Sequence, residues 1–328
     1  MKILFMGTPD FAKASLEKIY NAGYEIIGVV TNPDKPKGRG MKLFASPVKE
    51  FALEKGITVY QPAKIRNNSE FIEKIKELNP DVICVVAYGK ILPKEILEIP
   101  SCGCINVHGS LLPKYRGAAP IQWAVINGDK ITGVTTMYMD VGMDTGDIIL
   151  KQEVEIGEDE TTGELWEKLA TTGGDLLVKT LKEIEKGTVT RTIQGDDFSV
   201  APMIDKQIAK IDWNEKTAQE IKNLVRGLNP IMGAYSYIED KKIKFWNVQK
   251  LTYEEFMKDF GENPSNKENG KVLISNSKDG LYIKAKDGVI KVLEIQGENA
   301  RKMNILDFLR GNKIMENEKF NTNRTCIK

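Results

Sequence analysis

The sequence predicts an α/β protein: a doubly wound, Rossmann-like, mostly parallel sheet followed by a smaller C-terminal β-barrel of OB-like character. Three observations carry this reading. Short apolar runs alternate with helical patterns through the first half. Five short apolar runs, broken by turns such as Asp279-Gly280 and Asp287-Gly288, crowd the last third. At 328 residues the chain exceeds one ordinary core, so two domains are expected. The expected division is a first domain over 1–188, a linker over 189–206, the barrel over 207–312 and a tail over 313–328.

Residues 2–7 read as a strand, four consecutive apolar side chains ending at Gly7. Thr8 is placed as a cap and Pro9 in the first turn of a helix over 10–22. A strand over 24–31 completes a βαβ opening. A helix over 47–55 leads to a strand at 58–60, and a helix over 69–78 leads to one at 82–87. Gly7 stands alone where a dinucleotide-binding turn needs three glycines, which disfavours a nicotinamide or flavin enzyme. Between 132 and 156 two apolar stretches are expected to run antiparallel around the loop 139–147. A leucine stripe marks a helix over 161–186, with Gly173-Gly174 expected to bend or break it. Residues 187–206 read as connection, 215–226 as a helix, and 234–238, 243–248, 271–275, 281–285 and 289–295 as the barrel strands, with a loop at 261–270.

Composition narrows the classes. Apolar residues at 41% and charged residues at 28% suit a soluble globular chain. The opening residues hold no signal-peptide core and no run approaches a membrane span, so no membrane partner and a cytoplasmic location are expected. Four cysteines and one histidine offer few ligands for zinc, and Cys102 and Cys104 are spaced by one residue rather than two, so free thiols and no metal are expected. Nothing marks an obligate protein partner, and a monomer is expected. The net charge of +1 hides an asymmetry: residues 1–205 carry 24 Lys and Arg against 29 Asp and Glu, whereas residues 206–328 carry 23 against 17. A basic C-terminal third suggests an anionic partner.

The single histidine sits in Cys104-Ile105-Asn106-Val107-His108-Gly109. In a strand, Asn106 and His108 share one face, and the glycine puts His108 at the carboxyl end, where open parallel sheets bind ligands. An amide and an imidazole there can donate to a carbonyl oxygen as negative charge develops on it. Asp144 in the downstream glycine loop is the candidate partner for His108, with Asp140 and Asp147 as alternatives. No Gly-x-Ser-x-Gly elbow is present, and Ser110 is too close to His108 in sequence for a hydrolase geometry. The set suits acyl transfer to an amine that arrives with the substrate.

The stretches Asn106-Val107-His108-Gly109-Ser110-Leu111-Leu112-Pro113 and Gly142-Met143-Asp144-Thr145-Gly146-Asp147 resemble the signatures of the formyltransferase family that uses 10-formyltetrahydrofolate. The resemblance implies that Asn106, His108 and Asp144 are catalytic and that Ser110, Leu111, Leu112 and Pro113 line the folate site. It also implies that Val86, Tyr88 and Gly89 belong to backbone contacting the pterin, and that 10-formyltetrahydrofolate is the formyl donor. Residues 6–12, 31–40 and 46–49, with Ala201-Pro202-Met203-Ile204, Ile211-Asp212-Trp213 and Arg226-Gly227-Leu228-Asn229-Pro230, resemble the branch whose acceptor is initiator methionyl-tRNA. The resemblance covers nearly the whole chain; the tail from Lys313 matches nothing in it.

The 31–42 segment reads as a mobile basic loop: Lys35, Lys37, Arg39 and Lys42 among prolines and glycines, opposed by one acid, Asp34. In the family this insertion is implied to wedge into the tRNA acceptor end, through phosphate contacts and base stacking. Two other readings stay open from the residues: formyl transfer to a small amine such as a nucleotide or amino sugar, and a nucleic-acid-binding protein without catalysis.

Overall fold

The computed structural model describes residues 1–37 and 42–324, which form two compact units. The first comprises Met1–Ile121, Ile131–Glu155 and Leu165–Pro202; the second comprises Gln122–Lys130, Ile156–Glu164 and the chain from Met203 onward.

In the first unit β1 (Lys2–Gly7) leads through α1 (Asp10–Asn21) to β2 (Glu25–Val30). Pro9, not Thr8, is the N-cap of α1, and its carbonyl accepts from Ala12 and Lys13. The Thr8 hydroxyl instead accepts from the Asn32 carboxamide at 3.0 Å. A hairpin of β3 (Lys35–Lys37) and β4 (Lys42–Phe44) follows, where sequence pattern suggested only a loop. Then come α2 (Pro47–Glu54), whose cap Ser46 accepts from the Lys49 amide, β5 (Val59–Tyr60), α3 (Ser69–Leu78), β6 (Val82–Val86) and α4 (Lys94–Leu97). After β7 (Cys104–His108) come β8 (Arg116–Gly117), α5 (Pro120–Ile126), β9 (Ile131–Tyr138), β10 (Ile148–Glu155), α6 (Thr162–Lys186) and β11 (Val200–Ala201).

The main sheet has the order β10-β9-β7-β6-β1-β2-β5. Pairs from β5 to β7 are parallel, and β9 and β10 add an antiparallel margin. Fully buried runs such as Ile3, Leu4, Phe5 and Met6 fit a sheet covered on both faces. One cover packs Phe71 and Ile75 of α3 and Ile96 of α4 on Leu4, Met6, Ile83, Val85 and Cys104. On the other face α6 approaches Val107 closely.

That approach explains Gly173-Gly174. The helix runs through both residues without interruption. A β-carbon at Gly173 would lie 3.0 Å from Val107 Cγ1, and one at Gly174 would lie 2.8 Å from Lys18 Cγ and 3.2 Å from the Ala14 carbonyl. The pair thins the helix where sheet and α1 press on it.

The segment 187–202, expected to be connection, packs with the first unit. Ile148 and Thr192 exchange both backbone hydrogen bonds, and β11 pairs in parallel with β8.

The second unit contains α7 (Ala218–Gly227), β12 (Ala234–Ile238), β13 (Lys241–Leu251), α8 (Tyr253–Phe260), β14 (Val272–Asn276), β15 (Gly280–Lys284), β16 (Val289–Gln296), β17 (Met303–Asn304), α9 (Ile305–Gly311) and β18 (Phe320–Asn321). The sheet order is β14-β15-β16-β13-β12-β18, with β17 on β16. Residues of the expected tail close this sheet on itself. Val272 donates to the Glu318 carbonyl and Phe320 to that of Gly270, while β18 pairs with β12. Phe320 is buried against Trp213 and Phe245, and the Trp213 indole donates to Ser236 Oγ. No helix among the described residues is long and apolar enough to cross a membrane.

Gly174→Val is expected to destabilise the protein by about 1–3 kcal/mol through overpacking, read as a lower urea midpoint, despite replacing a residue of poor helix propensity.

Candidate active site

From β1 the chain winds outward through β2 and β5, then returns to place β6 on the other flank of β1. The reversal opens a crevice at the carboxyl ends of β1, β6 and β7, the usual ligand position in such sheets. Asn106 and His108 face that edge. Their neighbours Ile105 and Val107 are buried on the opposite face, Asn106 is half-buried, and His108 is 6% exposed.

Two partners hold the imidazole. His108 Nε2 lies 2.9 Å from the Tyr115 carbonyl oxygen. A carbonyl only accepts, so the hydrogen belongs on Nε2. Nδ1 faces Asp144 Oδ1 at 3.6 Å. The second Asp144 oxygen, Oδ2, accepts from the Gly117 amide at 2.8 Å. Asp144 is therefore the carboxylate brought to the histidine. Asp140 instead serves its own turn, accepting from the Gly142 amide and the Thr145 hydroxyl.

Asp144 sits at φ +54°, a left-handed conformation that short polar side chains tolerate best. Gly117, at φ +127°, brings its amide to that carboxylate, and a β-carbon there would meet the Ala201 carbonyl at 2.7 Å. Only glycine combines that backbone with that approach.

The turn after His108 is stabilised from within. Ser110 Oγ donates to the Lys114 carbonyl at 2.6 Å. Thr135 Oγ1 donates to the Ser110 carbonyl and accepts from the Leu112 amide. Leu112 is buried beside Met137 and Ile148, whereas Leu111 and Pro113 are half-buried. Of the four residues expected to line a folate site, Ser110 and Leu112 thus turn their side chains inward.

At the end of β6 the backbone bends sharply, with Ala87 at φ +44° and Gly89 at φ +75°. Val86 is buried in the sheet, and the Tyr88 ring is buried in the core between them. Burial pushes the Tyr88 hydroxyl up to about 12, and this atom has no hydrogen-bond partner. The Tyr88 carbonyl accepts from Asn32 Nδ2 at 2.9 Å, which ties the root of the β3–β4 hairpin to this bend.

The β3–β4 hairpin carries three of the four basic residues singled out from sequence, Lys35, Lys37 and Lys42. Lys35 is exposed; Lys37 and Lys42 lie on its strands, and Arg39 falls outside the described residues. Asp34 does not oppose them. It binds Lys49 at 2.6 Å and Gln61 at 2.8 Å, contacts that hold its carboxyl below the ordinary range. Leu43 and Phe44 on β4 are exposed.

In the second unit, Lys242 lies 3.5 Å over the Tyr235 ring. Partial burial, then the nearby Lys244, Lys206 and Arg324 charges, lower its basicity. Arg226 has a structural role: it is buried and donates to the carbonyls of Gly157, Glu160 and Val125.

Sequence reasoning missed the residues that brace the site from segment 187–202. Ser199 accepts from the Tyr115 amide through Oγ and from the Arg116 amide through its carbonyl. Gln194 donates to the carbonyls of Asp144 and Gly146 and accepts from the Arg116 guanidinium. These contacts span about 50 to 80 positions, and no local periodicity announces them. Among the described residues, no three His, Cys, Asp or Glu side chains gather as metal ligands.

Residues 1–181 match the family model described as formyl transferase, and residues 203–313 match that described as formyl transferase, C-terminal domain. A methionyl-tRNA formyltransferase of Clostridioides difficile is 54% identical over 315 residues, covering 96% of this chain and 98% of its own. Another, from Ruminiclostridium cellulolyticum, is 51% identical over 320 residues, covering 97% and 99%. Among solved structures, HypX from Aquifex aeolicus in complex with tetrahydrofolic acid matches with a TM-score of 0.64 at 14% identity. That match covers 97% of this chain and 50% of the other, and is a likeness of fold.

Thr135→Val is expected to cost about 1–3 kcal/mol of stability, because the Ser110 carbonyl and the Leu112 amide lose their shared buried partner. Urea denaturation of the variant checks this.

Proposed function

This chain belongs to the methionyl-tRNA formyltransferase family, and from that premise we infer that it transfers the formyl group of 10-formyltetrahydrofolate to the α-amine of initiator methionyl-tRNA. About 50% identity over nearly the full length of two relatives so named supports the acceptor. The observation that carries the chemistry is the His108 ring, held between the Tyr115 carbonyl and the Asp144 carboxylate at the carboxyl edge of the sheet.

The donor fits the residues present. The turn over 86–89 presents bent backbone, with Ala87 and Gly89 exposed, to which a polar ring system can hydrogen-bond. Leu111 and Pro113, in the turn that follows His108, supply half-buried apolar surface. When bound, formyl-folate supplies an electrophilic carbon and a nitrogen leaving group. Free α-amines titrate at about 7.7–8.0, so a neutral nucleophile is available near pH 7.

Because Nε2 is committed to Tyr115, the working nitrogen of His108 is Nδ1. Nδ1 carries a hydrogen only in the imidazolium form of the ring, and in that form it donates, together with the Asn106 carboxamide, to the formyl oxygen as charge builds there. Asp144 Oδ1, 3.6 Å from Nδ1, offsets the charge of that imidazolium and takes up the proton that the attacking amine sheds. One C–N bond forms to the amine, one breaks to folate, and the shed proton passes to the folate nitrogen.

The acceptor end is engaged by the hairpin cations Lys35, Lys37, Arg39 and Lys42, with the Lys206, Lys242 and Lys244 surface of the C-terminal domain tracking phosphates. A cytoplasmic location accords with work on charged tRNA.

His108→Ala and Asn106→Ala are each expected to raise the barrier by about 2.7–4 kcal/mol, a loss of roughly a hundredfold or more in turnover. Asn106→Ala should unfold close to the wild-type midpoint, whereas His108→Ala should still fold but lose about 1–3 kcal/mol as the buried Tyr115 carbonyl loses its donor. Purified protein given formyl-folate should formylate initiator methionyl-tRNA far faster than the elongator form or a small amine; equal rates on all three would overturn the acceptor assignment. Joint replacement of Lys35 and Lys42 by alanine should raise KM for tRNA several-fold, flatten its salt dependence and leave kcat within about twofold.

A further inference from the structure

We propose that Gln194 is a positioning residue for formyl transfer, holding Asp144 in the pose that meets His108; this rests on the catalytic reading of Asp144 given above. Asp144 occupies a left-handed backbone conformation, in a loop whose internal bonds run from Gly142 and Thr145 to Asp140 and none to Asp144 itself among those described. Gln194 Nε2 donates one hydrogen to the Asp144 carbonyl at 2.9 Å and the other to the Gly146 carbonyl at 2.8 Å. The two bonds fix the 144–145 and 146–147 peptide planes, the first of them the plane that leaves Asp144. Since both acceptors are carbonyls, the amide can point only one way.

The other end of Gln194 is fixed as firmly. Oε1 accepts from Arg116 Nε at 3.0 Å and Nη2 at 2.8 Å, while the guanidinium lies 4.5 Å from the Phe198 ring centre. The residue after Arg116 is Gly117, whose amide binds Asp144 Oδ2. Arg116 therefore couples the two grips on Asp144: its side chain steadies the amide that holds the aspartate backbone, and its chain carries the amide that holds the carboxylate. Thr192, two residues before Gln194, exchanges backbone bonds with Ile148 just past the aspartate loop, so Gln194 reaches Asp144 from a fixed base. The geometry gives Gln194 no direct part in the chemistry; it acts through Asp144.

A purely structural residue and one that acts through Asp144 differ in a double-variant cycle. Gln194→Ala is expected to lower kcat by roughly tenfold to a hundredfold, the scale of a small misplacement of a reacting group, with KM for formyl-folate and for tRNA within about twofold. On an Asp144→Asn background, which keeps side-chain shape and tolerates the left-handed backbone, the same change should cost less than about twofold. Gln194→Glu keeps the length and the Arg116 contact but sets an oxygen against the two carbonyls; it should match the alanine variant, and it is read instead if the alanine protein does not fold. A Gln194 variant with wild-type kcat, or one that loses the same factor with and without the Asp144 carboxylate, overturns the proposal. If Asp144→Asn alone turns over at the wild-type rate, the catalytic reading itself fails, and the proposal fails with it.

Discussion

The imidazole of His108 is fixed at Nε2 by the Tyr115 carbonyl oxygen, and that bond orients the rest of the centre. It decides which nitrogen carries the permanent hydrogen and turns the other toward Asp144. To bring Tyr115 back over the ring the chain must reverse within seven residues. It does so with Tyr115 itself in a left-handed conformation, Ser110 closing the turn onto Lys114, and Ser199 receiving the Tyr115 amide. Buried hydrogen bonds of this kind carry a modest net stability but a large penalty when broken, so the turn has little freedom to relax. A loop that elsewhere would be variable is here as constrained as the sheet it leaves.

Much of this was legible in the sequence where the signal is periodic or compositional. Alternation along a strand put Asn106 and His108 on one face, and the glycine after them marked the carboxyl edge. Asp144 was the candidate partner for His108 and is the carboxylate found 3.6 Å from its ring, but composition alone left Asp140 and Asp147 open, because the choice depends on which side chain turns inward from a loop. Gly173-Gly174 has two physical uses that look identical in sequence: breaking a helix, or letting a neighbour approach it. Val107 and Lys18 reveal the second. Thr8 fits a helix cap by type, but Asn32 engages its hydroxyl and Pro9 takes the cap position. The helix α8 does carry a readable signal, the Thr252–Glu255 capping box.

In the second unit the last turns of chain are structural rather than ornamental. Phe320 fills the space between Trp213 and Phe245, and burying a side chain of that size contributes roughly 1.5–3 kcal/mol. The strand it sits on supplies the backbone partners that β12 and the start of β14 would otherwise lack. Burial comes first among the causes that lower the basicity of Lys242, followed by the Lys244 and Lys206 charges, with Glu298 opposing them.

Segment 187–202 bears on how such enzymes can be recombined. The match to the N-terminal family model ends at residue 181, yet Gln194 and Ser199, which clasp the loops bearing Asp144 and Tyr115, lie after it. A chimera spliced at that homology boundary would inherit its clasp from a foreign parent while keeping its own Asp144, Tyr115 and Arg116. Grafts that move the crossover past Pro202 keep lock and key from the same ancestor, and should tolerate a borrowed C-terminal module far better.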